Sequence, residues 1–359
     1  MNSPVITIAI IAYCRDFLHD CISSVLAQTY KNIKVIVYDD CSPENLKEIV
    51  GQFEDSRLFY HRNENNLKTF GNTNQALQLC ETEFVNVFHG DDVMFPWMLE
   101  TLLDVAMSNP SVDLFLSRAK PTYKLEKSHI VSWCASTKNE GKLFSKNELI
   151  GKLLKFGGNI WPPAGILFRK AAINKWKILF RPEIGPAADV FFLVEANNAG
   201  MKILDMGQEL FFSRRHPHTW TNLATAASWE QSHLLLDHFI ASMNLGYDMR
   251  FFRMNLGQIT ISNLSSSIQT EEDIASLWDK KELFAEERQW VMTEQAFRDA
   301  IVIGFLGNTV IEIGLGNLPL SEYFQKKVKL KELGIEVTFL RRVKWFLKYL
   351  VCQKLFGRY

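Results

Sequence analysis

The strongest constraint on the fold is an alternation within the first 120 residues. Short β-rich runs, VITIAIIAY (5–13), KVIVYD (34–39), RLFYHR (57–62), FVNVFH (84–89) and VDLFLSRA (112–119), are separated by stretches with helical spacing. Those helices are expected over about 16–28, 44–53, 70–80 and 96–108. Strands of 4–8 residues alternating with helices predict a mainly parallel sheet covered on both faces, an α/β fold. Near residue 225 the pattern changes. Stretches such as SWEQSHLLLDHFIASMNL and EERQWVMTEQAFRDAIVIGFL carry apolar residues three and four apart, the mark of amphipathic helices. The chain of 359 residues, 47% of them hydrophobic, therefore divides into an α/β domain over 1–225 and a mostly helical region over 226–359.

Charge and cysteine usage narrow the class. Forty basic residues balance forty acidic ones, which gives no global argument for nucleic-acid binding. The six cysteines, at 14, 21, 41, 80, 134 and 352, show no C-x-x-C pairing, so neither a zinc site nor a disulfide framework is indicated and a cytoplasmic protein is expected. MNSPVITIAIIAYCRD lacks a basic segment ahead of its apolar run, which is too short to cross a bilayer; it reads as a buried first strand.

Open α/β sheets bind ligands at the carboxyl ends of their strands, and three of those ends are polar here. The first carries Tyr13, Cys14 and Arg15, the second Asp39 and Asp40, and the fourth His89, Gly90, Asp91 and Asp92. Two adjacent carboxylates at a strand end need a cation or a hydrogen-bond donor. No G-x-G-x-x-G follows the first strand and no G-x-x-x-x-G-K-S/T occurs, which disfavours a dinucleotide dehydrogenase or a P-loop enzyme. Any bound diphosphate would then be neutralised by a divalent metal held on carboxylates.

ITIAIIAYCRDFLHDCISSVLAQTYKNIKVIVYDDCSPENLKEIV, followed by ETEFVNVFHGDDVMFPWMLE, resembles the family 2 glycosyltransferases of the GT-A fold over about the first 220 residues. The resemblance implies inverting transfer of a sugar from a nucleoside-diphosphate donor of UDP or dTDP type, assisted by Mn2+ or Mg2+. It places Tyr13 beside the donor base, Asp39 and Asp40 on the base, Asn74 near the donor phosphate or ribose, Asp91 on the ribose and Asp92 on the metal. This sequence departs from the family pattern at three places. His89 stands where a first acid is usual, Thr73 precedes Asn74 where an arginine is usual, and Ala188 replaces the first acid of a Glu-Asp pair. Lys68 is a candidate phosphate-facing charge.

The resemblance also makes Asp189, opening VFFLVEAN, the general base that takes the acceptor proton, although Asp at that place also reads as a plain helix N-cap. Trp161, in GGNIWPPAGILFRKAAI, is a candidate sugar platform on the acceptor side, with core packing the competing account. In LFFSRRHPHTWT, Arg214 and His216 match an Arg-x-His pattern that closes the domain, and His216 or His218 is a candidate metal ligand. The tail RRVKWFLKYLVCQKLFGRY (341–359) carries six Lys or Arg and no acid. It suits a peripheral contact with an anionic membrane on the inner face of the cell, or packing on the body of the protein or a second subunit as a homo-oligomer. A glycan or lipid-linked acceptor would fit the first. Two other classes compete: a sugar nucleotidyltransferase, which wants a glycine-rich basic loop that IAYCRDFLHD lacks, and an inactive glycan-binding or scaffold module.

Overall fold

The computed structural model describes residues 3–122, 141–151, 161–216 and 226–243, with isolated positions 321, 324, 325 and 328. Its contacts divide the chain into one unit of Met1–Leu153 with Gly158–Thr219 and another of Leu154–Gly157 with Trp220–Tyr359. The described part of the second unit is chiefly one helix, Ala226–Ser242, with Leu236 and Ile240 buried.

The first unit is built on a nine-stranded sheet. Its strands are β1 (Ile6–Ala12), β2 (Ile33–Asp39), β3 (Leu58–Arg62), β4 (Phe84–His89), β5 (Val93–Met94), β6 (Leu114–Thr122), β7 (Lys142–Leu143), β8 (Ile166–Arg169) and β9 (Ile203–Arg214). The order is β3-β2-β1-β4-β8-β6-β9-β5, with β7 pairing β9. Between them run α1 (Leu18–Leu26), α2 (Leu46–Val50), α3 (Lys68–Leu79), α4 (Met98–Ser108), α5 (Lys170–Trp176) and α6 (Ala188–Ala199). All seven residues of β1 are buried, as a strand covered on both faces requires. Ile6, Ile8 and Ile10 join Leu18, Ile22 and Val25 of α1 and Leu99 and Leu102 of α4 in one core.

The expected parallel block is β3-β2-β1-β4. The sheet then turns mixed, because β8 runs antiparallel to both β4 and β6. Asn86, wholly buried in β4, ties this reversal together by donating through Nδ2 to the carbonyls of Ala164 (3.0 Å) and Ile166 (2.9 Å).

Two features of this topology prepare a site. Strand order reverses about β1: β2 and β3 lie on one side of it and β4 on the other, all parallel, which opens a crevice at the strand carboxyl ends. Register then aligns the polar residues, since Ala12 pairs with Asp39 and Ile11 with His89. With strands about 4.8 Å apart, the ends of β2 and β4 stand roughly 10 Å from each other across β1.

Candidate functional site

The turn after β4 is tight. Gly90 donates its amide to Ile11 O at 2.9 Å and Asp92 donates to His89 O at 3.1 Å. A Cβ on Gly90 would stand 3.2 Å from Ile11 O, so glycine lets this turn lie against β1. The Cys21 thiol of α1 also donates to His89 O, at 3.3 Å. The turn thus presents His89, Asp91 and Asp92 from an anchored backbone.

From the opposite side comes the end of β9, which β5 holds through the pairs Val93 with Phe212 and Met94 with Phe211. The Arg214 amide donates to Asp92 Oδ1 at 3.0 Å, and its guanidinium donates from Nε to Asp91 O at 3.0 Å and from Nη2 to Asp20 at 3.1 Å. That guanidinium also lies 4.1 Å above the Phe17 ring. Phe17 precedes α1 with φ 67°, a left-handed conformation that costs a non-glycine residue on the order of 1–2 kcal/mol. Its ring is held between Arg214 and the His216 imidazole, 5.1 Å away between centroids. His216 Nε2 lies 3.1 Å from Asp91 Oδ2.

The electrostatics follow from this packing. Burial, then the charge of Asp91 beside it, pushes the Asp92 carboxyl well above the usual range, and the Arg214 amide offsets this only in part. Burial also opposes ionisation of Asp91. There the His216 hydrogen bond and the attraction of His89 and His216 prevail and hold its carboxyl below the usual range. Burial lowers the His89 pKa against the pull of Asp91, which favours a neutral imidazole. A divalent cation would let both carboxylates ionise together. The donor set suits one: side-chain ligand atoms of His89, Asp91 and Asp92 all lie within 4.8 Å of one another. Carboxylate oxygens with a neutral imidazole are ligands for Mn2+, and carboxylates alone for Mg2+.

At the other end of the crevice the acidic pair splits into two roles. Asp39 is completely buried and fully engaged, accepting from the Ser42 amide (2.7 Å), the Tyr60 hydroxyl and Arg62 Nη1 (2.6 Å). Asp40 accepts through Oδ1 from the Leu67 amide at 2.7 Å and Asn63 Nδ2 at 3.0 Å. Behind it, Asn63 Nδ2 also donates to Asn72 Oδ1 (3.0 Å), and Asn72 Nδ2 to Tyr38 O (3.0 Å). This buried amide relay fixes the Asp40 rotamer. The Asp40 amide donates to Ala12 O, which sets it beside Tyr13, a residue 45% exposed.

The other sequence candidates lie apart from these two clusters in their bonding. Asn74 clamps the Phe180 backbone, donating to its carbonyl at 2.7 Å and accepting from its amide at 2.9 Å. Lys68 opens α3 with φ 59°. Trp161 is 1% exposed and packs edge-on against Phe144 at 5.5 Å, a core position. Trp161→Ala is accordingly expected to lower unfolding stability by about 3–5 kcal/mol in denaturant titration while leaving nucleotide affinity unchanged. Asp189 lies in the first turn of α6, half-buried, where its Oδ1 accepts from the Val190 amide at 2.7 Å. Gly185, with φ 78° and ψ −138°, makes the bend that lets α6 start there. His218 and the tail 341–359 lie outside the described residues.

Sequence reasoning passed over Phe17, Asn63, Asn72 and the scaffold role of Arg214. Asn63 and Asn72 carried a signal: amide side chains at the two ends of NENNLKTFGN beside a strand end.

Residues 7–175 match the family model for Glycosyl transferase family 2. Among curated relatives, UDP-Glc:alpha-D-GlcNAc-diphosphoundecaprenol beta-1,3-glucosyltransferase WfaP of Escherichia coli is 27% identical over 136 residues, 38% of this chain and 52% of that protein. The putative colanic acid biosynthesis glycosyl transferase WcaA of Escherichia coli K12 is 34% identical over 105 residues, 28% of this chain and 38% of that protein. The chain spans about half the length, or less, of the first of these curated relatives. Among solved structures, S. aureus TarS in complex with UDP-GlcNAc superposes with a TM-score of 0.53 at 14% identity, over 85% of this chain and 91% of that one, a likeness of fold.

Proposed function

Residues 7–175 match the model of glycosyl transferase family 2, and from this match we propose that the chain is an inverting, metal-assisted glycosyltransferase. Its donor is a nucleoside-diphosphate sugar of UDP or dTDP type, and its acceptor a hydroxyl of a glycan or lipid-linked glycan. The observation that carries the reading is the alignment of strand ends at the reversal about β1. Tyr13 with Asp40 stands on one side, His89, Asp91 and Asp92 on the other, and the Arg214 amide holds Asp92.

In this reading the Tyr13 ring covers the base and Asp40, fixed by Asn63 and Leu67, accepts a hydrogen bond from it. Asp39 braces this end of the crevice through Ser42, Tyr60 and Arg62, while Asn74 and Trp161 serve the packing of the domain. Asp91 serves the ribose side. Asp92 and Asp91 would hold Mn2+ or Mg2+, with His216 orienting Asp91 through Nε2; the ion when bound supplies positive charge to the departing diphosphate. Asp189 takes the proton of the acceptor hydroxyl as that oxygen bonds to the anomeric carbon. The bond from that carbon to the diphosphate oxygen breaks on the opposite face, so configuration inverts. The gain from Asp189 comes from holding the base in place while the reacting atoms are aligned.

WfaP is named for an acceptor carrying diphosphoundecaprenol. An acceptor of that class agrees with a basic amphipathic tail at 341–359 that holds the protein at an anionic membrane surface. No helix among the described residues is long and apolar enough to cross a membrane.

The test is turnover on a panel of nucleotide sugars with lipid-diphosphate-linked glycan acceptors, read by NMR at the new anomeric centre. Transfer with the opposite anomer is the expected result. Retention of configuration would remove the role given to Asp189, and an absence of both transfer and donor binding would favour the inactive module.

A further inference from the structure

We propose that His89 is a nitrogen ligand of the divalent ion and that it makes the site select manganese over magnesium. The inference deepens the transferase reading, for it concerns the ion that the two aspartates would hold. His89 is the last residue of β4, and its carbonyl accepts from both the Cys21 thiol and the Asp92 amide. The ring therefore projects from a backbone with little freedom to move. Its Nδ1 faces Asp92 Oδ2 at 3.9 Å, beyond hydrogen-bond range, so the imidazole is close to the carboxylates without being held by them. Its Nε2 is buried with no hydrogen-bond partner, which leaves Nδ1 as the ring nitrogen that faces the acidic pair.

Distances allow a shared ion. Two donors each about 2.2 Å from one ion stand at most about 4.4 Å apart, and the three ligand atoms here lie within 4.8 Å of one another. Small side-chain rotations close that gap. His216 differs from His89, because its Nε2 is already 3.1 Å from Asp91 Oδ2 and so can orient that carboxylate from outside. Chemistry then decides the metal. Magnesium strongly prefers oxygen ligands, whereas manganese accepts an imidazole among carboxylates. The histidine that departs from the usual acid becomes a selectivity device.

The experiment loads the full-length protein with Mn2+ alone and records pulsed EPR. Wild type is expected to show imidazole nitrogen coupling, and His89→Gln to lose the share due to His89 while His216→Gln keeps it. In competition titrations followed by the free Mn2+ signal, His89→Asp is expected to shrink the preference for Mn2+ over Mg2+ by about tenfold. His89→Asp keeps a ligand at that place and serves if His89→Gln does not fold. Nitrogen coupling unchanged in His89→Gln, or an unchanged metal preference in His89→Asp, would overturn the proposal. Failure of the transferase reading is separate: Mn2+ would then bind with nitrogen coupling while no nucleotide sugar is turned over.

Discussion

Asp189→Asn is expected to reduce kcat for sugar transfer by about 10²–10⁴, the range that a positioned general base contributes, while donor affinity stays within a factor of two or so. The amide is nearly isosteric with the carboxylate, so α6 and the Gly185 bend should persist, and the amide oxygen can still accept from the Val190 amide as Oδ1 now does. What disappears is a group able to take the acceptor proton. Single-turnover kinetics with saturating donor, paired with calorimetric titration of the nucleotide, separates the two quantities. If Asp189 is only a helix cap, transfer by the variant will match wild type, and the base must be sought elsewhere. A merely structural loss would appear as weakened nucleotide binding and a lower melting temperature.

Asp92→Ala is the second large effect. Asp92 is 3% exposed and held by the Arg214 amide, so it is fixed in place at the junction of β5 and β9. Removing the carboxylate takes away a negative charge from the proposed metal shell and leaves the Arg214 amide without its acceptor. Donor affinity in the presence of Mn2+ is expected to fall by at least about tenfold, the usual cost of disturbing a metal's ligand environment. The stimulation of binding by Mn2+ should vanish. The alternative, a turn aspartate that simply satisfies a backbone amide, predicts a stability loss of about 1–3 kcal/mol with the metal effect intact.

Much of the fold was legible because burial on both faces of a central strand leaves an unbroken apolar run. VITIAIIAY announced β1, KVIVYD β2 and FVNVFH β4, with ends correct to within one residue. Direction was less legible. ILFR reads equally well as a parallel or an antiparallel strand, and what reverses β8 is its long-range pairing with β4 and the Asn86 bridge. Strands of two residues, β5 and β7, are too short to leave a periodic pattern.

Residue type named the candidates, but their surroundings came only from the fold. Asp39 and Asp40 are neighbours of the same kind, yet Arg62 and Tyr60 from β3 neutralise and bond one of them, whereas Asn63 and Asn72 orient the other. No local pattern separates the two, because the side chains that distinguish them lie more than twenty residues away. Asn74, which the resemblance places near the donor phosphate or ribose, bonds a backbone segment 106 residues distant, a partner that no local pattern announces. Arg214 was marked by its motif; that it would cover Phe17 and hold the Asp91–Asp92 turn follows from the antiparallel junction of β5 with β9.

The most direct test of the donor site is calorimetric titration of the full-length wild-type protein with UDP and with dTDP, in Mn2+ and after chelation. The account predicts one site per chain whose affinity rises by tenfold or more with Mn2+. Equal affinity with and without the metal, or no binding of either nucleotide, would contradict it.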